Sequence, residues 1–285
     1  MTRSRIKSIV VLLVMSCATS PTQTRGPIAV PVPQPAIQPT DNGPWRFQYR
    51  TDTVAYQISR SAAIESEIDS GARHEITTNN SHEILTLNVV ADTVRYVAVV
   101  DTFSTATQGA IGSVQQVSLP IQISGVVDST NSFVVDSATA APSCDPVQSS
   151  LQGDVRNLLI TFPAQLTPGL TWRDSTARSS CYGTIPMKAS IVRRYSVVGR
   201  TSYGGQALIG IQRIDSISAH GDGRQQQHRL VINASGSGSA TYYVSPEQGL
   251  VFHLTTDQDL EFAIQASGKT SRFRETAKQE YSLVR

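Results

Sequence analysis

Glu83–Asp101 reads EILTLNVVADTVRYVAVVD. Leu85, Leu87, Val89 and Ala91 fall on alternate positions. The chain then turns near Asp92-Thr93 and resumes with Val94, Tyr96, Ala98 and Val100 at the same spacing. Residues two apart share one face of a strand, so this alternation describes a sheet with one dry face and one wet face. Two such runs joined by so short a turn pair antiparallel, because parallel neighbours need a long crossover. Asp259–Ser267, DLEFAIQAS, repeats the pattern, with Leu260, Phe262, Ile264 and Ala266 against Glu261, Ala263 and Gln265. His228–Asp257 reads as further strands, with tight turns expected at Gly236-Ser237-Gly238 and at Pro246-Glu247-Gln248-Gly249. The expected fold class is mainly β: an antiparallel curved sheet or half-barrel meander.

One stretch departs from the two-residue period. In SCDPVQSSLQGDVRNLLITFP, Asp145 suits an N-cap and Pro146 suits the first helical position. Val147, Leu151, Val155, Leu158 and Leu159 then recur at helical spacing. This predicts one helix over 146–159, which Gly153 weakens by about 1 kcal/mol. The helix separates a strand-rich front, 45–140, from a strand-rich back, 185–285, and is expected to lie on the sheet or plug it.

The start of the chain reads as an address. MTRSRIK carries Arg3, Arg5 and Lys7 and no acid. An apolar run, Ile9 to Met15, follows, and then small and polar residues. That order is the pattern of a secretory signal peptide, and the run is shorter than the roughly 20 apolar residues a spanning helix needs. Leu13-Val14-Met15-Ser16-Cys17 resembles the bacterial lipoprotein signal, with Met15 where that family more often has a small residue. The resemblance implies cleavage before Cys17, lipid on its sulfur and acylation of the new amine. Ala18, in place of an aspartate, implies the outer membrane of a two-membrane cell. Several acyl chains anchor stably, each buried methylene adding about 0.8 kcal/mol.

The expected organisation is a signal peptide over 1–16, lipidated Cys17 with a tether over 17–44, and a single β-rich domain over 45–285. The tether holds seven of the 14 prolines. Proline blocks helix and central strand and favours an extended spacer. Loss of Arg3, Arg5 and Lys7 turns the formal charge of +2 into 21 basic against 22 acidic side chains. The basic pI therefore gives no support for nucleic-acid binding.

Cys144 and Cys181 remain as an even pair in an oxidising compartment. A disulfide between them would fasten the helix start to the SSCYGTIP segment; two buried free thiols are the other reading. The histidines, His74, His82, His220, His228 and His253, match no metal-ligand spacing. His74 and His82 flank a polar stretch read as a loop, His220 opens HGDGRQQQH, read as a turn, and His253 is read as facing water from a strand. Asp222 with His228, and the alternating Glu65, Glu67 and Asp69, are read as solvated rather than as metal ligands. Serines are plentiful, but no nucleophile elbow or phosphate loop holds them. The sequence implies no catalytic residue, no cofactor and no metal.

Leu166–Ser175, LTPGLTWRDS, followed by Tyr195–Ile214, YSVVGRTSYGGQALIGIQRI, is similar to β-rich bacterial envelope lipoproteins over about half the chain. That resemblance implies no activity. The expected architecture is also similar to the half-barrel lipid carriers and chaperones of the bacterial envelope, whose concave face holds acyl chains. It implies a lipid or other hydrophobic ligand lying against the apolar strand faces, with Leu85, Leu87, Val89, Leu260, Phe262 and Ile264 as candidates. The alternative is a structural or partner-binding component of an envelope assembly, in which those residues are core.

Overall fold

The computed structural model describes residues 43–68, 71–91, 93–108, 118–127, 133–135, 144–182, 185–225 and 227–284. The signal segment, Cys17 and most of the proline-rich tether lie outside the described residues. Eleven strands form one antiparallel sheet: β1 Asp52–Ile68, β2 Gly71–Val90, β3 Thr93–Gln108, β4 Ile121–Val127, β5 Phe133–Val135, β6 Thr171–Tyr182, β7 Ile185–Tyr203, β8 Gln206–Gln225, β9 His228–Ser245, β10 Leu250–Ala266 and β11 Lys269–Val284. The order across the sheet is β5-β4-β3-β2-β1-β11-β10-β9-β8-β7-β6. Two meanders are thus joined by pairing of the first strand with the last, with Ile58 opposite Tyr281. The expected antiparallel half-barrel with one helix is the observed fold.

Helix α1, Pro146–Leu158, stops one residue short of the expected end, with Leu159 as its C-cap. Asp145 caps the start, its carboxylate accepting from the amides of Val147 and Gln148 at 2.9 Å each. The helix contacts β3 and β4 near one end of the sheet and β6 at the other. It therefore sits across the opening that the uncurled strand order leaves. Val147, Leu151, Val155 and Leu158 join Tyr56, Leu85, Leu87, Tyr96, Tyr242 and Tyr281 in one buried core. A disulfide joins Cys144, before the helix, to Cys181, near the end of β6.

The end of the sheet with the turns Val90–Thr93, Tyr203–Gln206 and Ser245–Leu250 is here called the near end. It is closed by the lead-in to β1 and the segment after α1. Trp45 and Leu166 exchange backbone hydrogen bonds of 2.8 and 2.7 Å. Phe47 packs on Phe162 at 3.9 Å between ring centres, and the Tyr49 hydroxyl donates to the Ile160 carbonyl at 2.7 Å. The far end carries the tips of the long hairpins β1–β2, β6–β7, β8–β9 and β10–β11.

Three local expectations are corrected. Gly236-Ser237-Gly238 is the middle of β9, not a turn. A Cβ at Gly236 would stand 2.0 Å from the Asp259 carbonyl oxygen, so glycine marks a close approach between strands there. The polar stretch between His74 and His82 is not a loop but part of β2, and His220 lies within β8, which runs on to Gln225. In these places the polar residues carry a loop signal, yet hydrogen bonding to strands on both sides holds them extended. The expected turn at Pro246–Gly249 is present, with Gly249 at φ 66°.

Candidate functional site: the interior of the curled sheet

Side chains on the concave face fall into three levels. At the near end they are sealed. Leu85 is 3 % exposed and Leu87 1 %, both packed in the core that includes α1, and Val89 packs against its edge. Leu85 and Leu87 share one core cluster with Leu151 and Val155 of the helix, and Val89 borders it.

The middle level is polar and also buried. Arg60 on β1 donates to Ser81 at 2.8 Å and to Glu83 at 3.0 Å, and pairs with Asp154 of the helix. Tyr281 donates to the second Asp154 oxygen at 2.7 Å, and Asn157 donates to the Tyr281 hydroxyl at 3.0 Å. Farther round, Arg213 holds Asp215 at 2.8 Å and Asn157 at 3.1 Å. Arg193 forks onto Asp174 at 2.7 and 2.8 Å. Buried ions survive only when paired and hydrogen-bonded, so this belt fixes the helix to β1, β8 and β11. One guanidinium serves two carboxyls at Arg60. Burial and the nearby Asp154 push the Glu83 carboxyl well above the usual carboxylate range, while Arg60 works against them.

The third level, at the far end, has a different character. Ile185, Met187, Ile232, Ala234 and Phe262 form a second buried cluster. Leu230, Leu260, Ile264 and Phe273 pack against it but keep solvent contact although they share its face. Ala62 and Ile64 on β1 are likewise only partly buried on the concave face. Phe262 and Phe273 stack at 4.6 Å, and Tyr182 of β6 approaches them at 6.1 and 5.6 Å. β6 lies four strands from β10 in the sheet order, so this contact crosses the interior and shows how tightly the sheet curls. The remaining expected residues, Leu260, Phe262 and Ile264, all lie at this level. The structure separates them from Leu85, Leu87 and Val89 by the polar belt.

The histidines do not converge. His74 faces Glu65 at 3.8 Å and His82 faces Asp101 at 2.8 Å. His220 bonds Asn233 at 2.9 Å, and His228 bonds Ser267 at 3.0 Å. Asp222 pairs with Arg229 rather than with His228. The Glu67 side chain and Asp69 lie outside the described residues. His253 corrects the expectation that it faces water. It is 3 % exposed and stacks on Tyr203 at 4.1 Å, and burial lowers its pKa, with Glu280 opposing. Its aromatic neighbours are Tyr243 on adjacent β9 and Tyr203 at the end of β7, which a single strand's alternation does not reveal.

A scan of protein-family models finds no match, and a search of curated proteins finds none. Solved structures with a similar course are outer membrane channels. Pseudomonas aeruginosa OccK5 (OpdH) is 6 % identical at TM-score 0.29, covering 82 % of this chain and 99 % of that one. A BenF-like porin from Pseudomonas fluorescens is 7 % identical at TM-score 0.22, covering 82 % and 99 %. An outer membrane channel from Pseudomonas putida is 6 % identical at TM-score 0.23, covering 87 % and 100 %. At such scores nothing about this chain follows from them. The polarity of the sheet is a separate matter. Its convex face carries Ser235, Ser237, Ser239 and Thr241 on β9, Gln212, Ser216 and Ser218 on β8, and charged pairs such as Arg274 with Asp259 across β10–β11. A membrane-spanning barrel turns an apolar band outward and a polar face inward; here the apolar side chains face in.

Proposed function

We propose that the chain is an exported, lipid-anchored envelope protein with a non-catalytic role, which binds a lipid or another hydrophobic ligand inside the far end of the curled sheet. The observation that carries this reading is the incompletely covered apolar surface there. Ile64, Leu260, Ile264 and Phe273 point to the concave side yet keep solvent contact, while the near end is closed by α1. A site of few polar groups set among apolar and aromatic walls suits a small apolar ligand. Cys17 and the proline-rich tether would hold this domain at a membrane, the source of such ligands, and the Cys144–Cys181 bridge fits an oxidising compartment. The test is native mass spectrometry of the Cys17→Ser chain exported in a bacterial host. A co-purifying adduct of lipid size is expected, and a bare polypeptide mass in repeated preparations would overturn the reading.

A second reading has its own observation. An open groove of about 570 Å³ at the near end of β1, β2 and β11 is lined by Val54, Ala55, Ile84, Leu250, Leu283 and Val284, with Asp52, His82 and Gln248 among its polar groups. Such a groove suits an envelope protein partner, and cross-linking from its rim in the native envelope would capture one.

A further inference from the structure

Among the described residues, three arginines on the concave face are matched by acids. Arg60 pairs with Asp154 and Glu83, Arg193 with Asp174, and Arg213 with Asp215. Arg178 is the exception. It lies on the inward face of β6, opposite Ala189 of β7. Its Nη1 crosses the helix at Gly153, where a Cβ would stand 3.2 Å away. Its Nε is sealed from solvent and bonds to nothing, as are those of Arg60 and Arg213; what sets Arg178 apart is that its side chain forms no ion pair with a described residue. Burial works against its charge, with Asp154, Tyr281 and Glu275 only partly offsetting it. Glu275, the acid facing it from β11, is itself raised by burial, with Arg178 pulling the other way. An arginine so placed has donors to spare and a deficit of paired charge, since neither Asp154 nor Glu275 reaches it as an ion pair.

The position of Arg178 relative to the apolar cluster gives the deficit a meaning. Arg178, Ser180 and Tyr182 descend the inner face of β6 toward the far end, over about 13 Å of strand. At the foot of that descent Tyr182 meets Phe262 and Phe273. A charged seat is thus set beneath the helix, and an apolar and aromatic wall leads away from it to the open end.

We propose that the far-end chamber takes an amphiphile with an anionic head group, the head seated on the Arg178 guanidinium and the chain running past Phe262 and Phe273 toward Leu260 and Ile264. This deepens the hydrophobic-ligand reading above and rests on it. A carboxylate and a phosphate head share the required chemistry, since each accepts two parallel N–H donors from one guanidinium.

Titration calorimetry on the full chain carrying Cys17→Ser, with dodecanoate, dodecyl phosphate and uncharged dodecanol at pH 8, tests this. One or both anionic probes should bind at least tenfold more tightly than dodecanol, and the stronger of the two identifies the head group. Arg178→Gln should abolish that preference while leaving dodecanol affinity within twofold, which also shows that the variant is folded. Arg178→Lys should retain part of the preference. Equal binding of all three probes to the unsubstituted side chain, or a preference that survives Arg178→Gln, overturns the head-group assignment and leaves the hydrophobic-ligand reading intact. Binding of none of the probes overturns that reading too.

Discussion

Glu83 shows how one residue's environment inverts its ordinary behaviour. It lies on β2 with 3 % exposure, shares Arg60 with Asp154, and is pushed up by burial and by Asp154. A carboxyl whose folded pKa is raised binds its proton more tightly in the folded state. Its stabilising contribution is complete below the ordinary carboxyl value, near 4.5, and is lost as pH rises through the folded value. Each such group costs up to about 1.4 kcal/mol per pH unit inside that window. Glu275 contributes with the same sign. The expected outcome is that Glu83→Gln matches the parent chain in urea denaturation at pH 4 and loses less stability as pH rises above it. Parallel pH profiles would show that Glu83 ionises freely. The alternation of Leu85 and Leu87 continues to Glu83, which lies on the same face of β2. Only partners 23 and 71 positions away, Arg60 and Asp154, explain its burial. Arg178 is the same case. Its place on the inner face of β6 and the acids nearest it, Asp154 and Glu275, come together only through elements distant in sequence.

At the scale of elements, α1 was legible because its signals are local. Asp145, Pro146 and an apolar stripe at helical spacing lie within one stretch, and the cap forms as those residue types dictate. Gly153, which weakens the helix by itself, has its reason in a strand, since Arg178 crosses the helix at that point. The same contrast applies to β9. Two glycines separated by a serine resemble a turn, and only the approach of β10 shows that the strand continues through them. The Cys144–Cys181 bridge ties the start of α1 to the end of β6 across 37 positions. Closing a loop of that length contributes about 4 kcal/mol in the chain-entropy model. Cys144→Ser with Cys181→Ser should therefore lower the melting temperature, and hydrogen exchange should rise first in α1 while the centre of β8–β9 stays protected. An unchanged melting temperature would show that the sheet alone holds the helix.

The molecule as a whole is a curled sheet whose dry face is folded inward on a helix. Its first and last strands pair, so the front and back meanders share one hydrogen-bond network rather than packing as separate sheets. That closure hides most of the apolar surface and leaves the hydroxyl-rich and charged face to water. A protein built this way needs a separate device to stay at a membrane, and the LVMSC segment with its proline-rich follower is the proposed one. Cys17→Ser should move the protein from the membrane fraction to the soluble fraction after export. Full membrane retention would overturn the anchor and direct attention to the surface of the folded domain.

By itself the sequence determined the period-two strands, their antiparallel sense, the inward and outward faces, and the single capped helix. Those features depend on residues a few positions apart, whose spacing and chemistry act locally. The tertiary structure alone decided which apolar residues are core and which keep solvent contact. Leu85 and Leu260 carry the same alternation signal, yet the helix covers one and not the other. It also decided which charges are paired, because Arg60, Asp154 and Glu83 meet only when the sheet curls. Burial and charge compensation are sums over neighbours in space, and the curl that selects those neighbours belongs to the whole sheet.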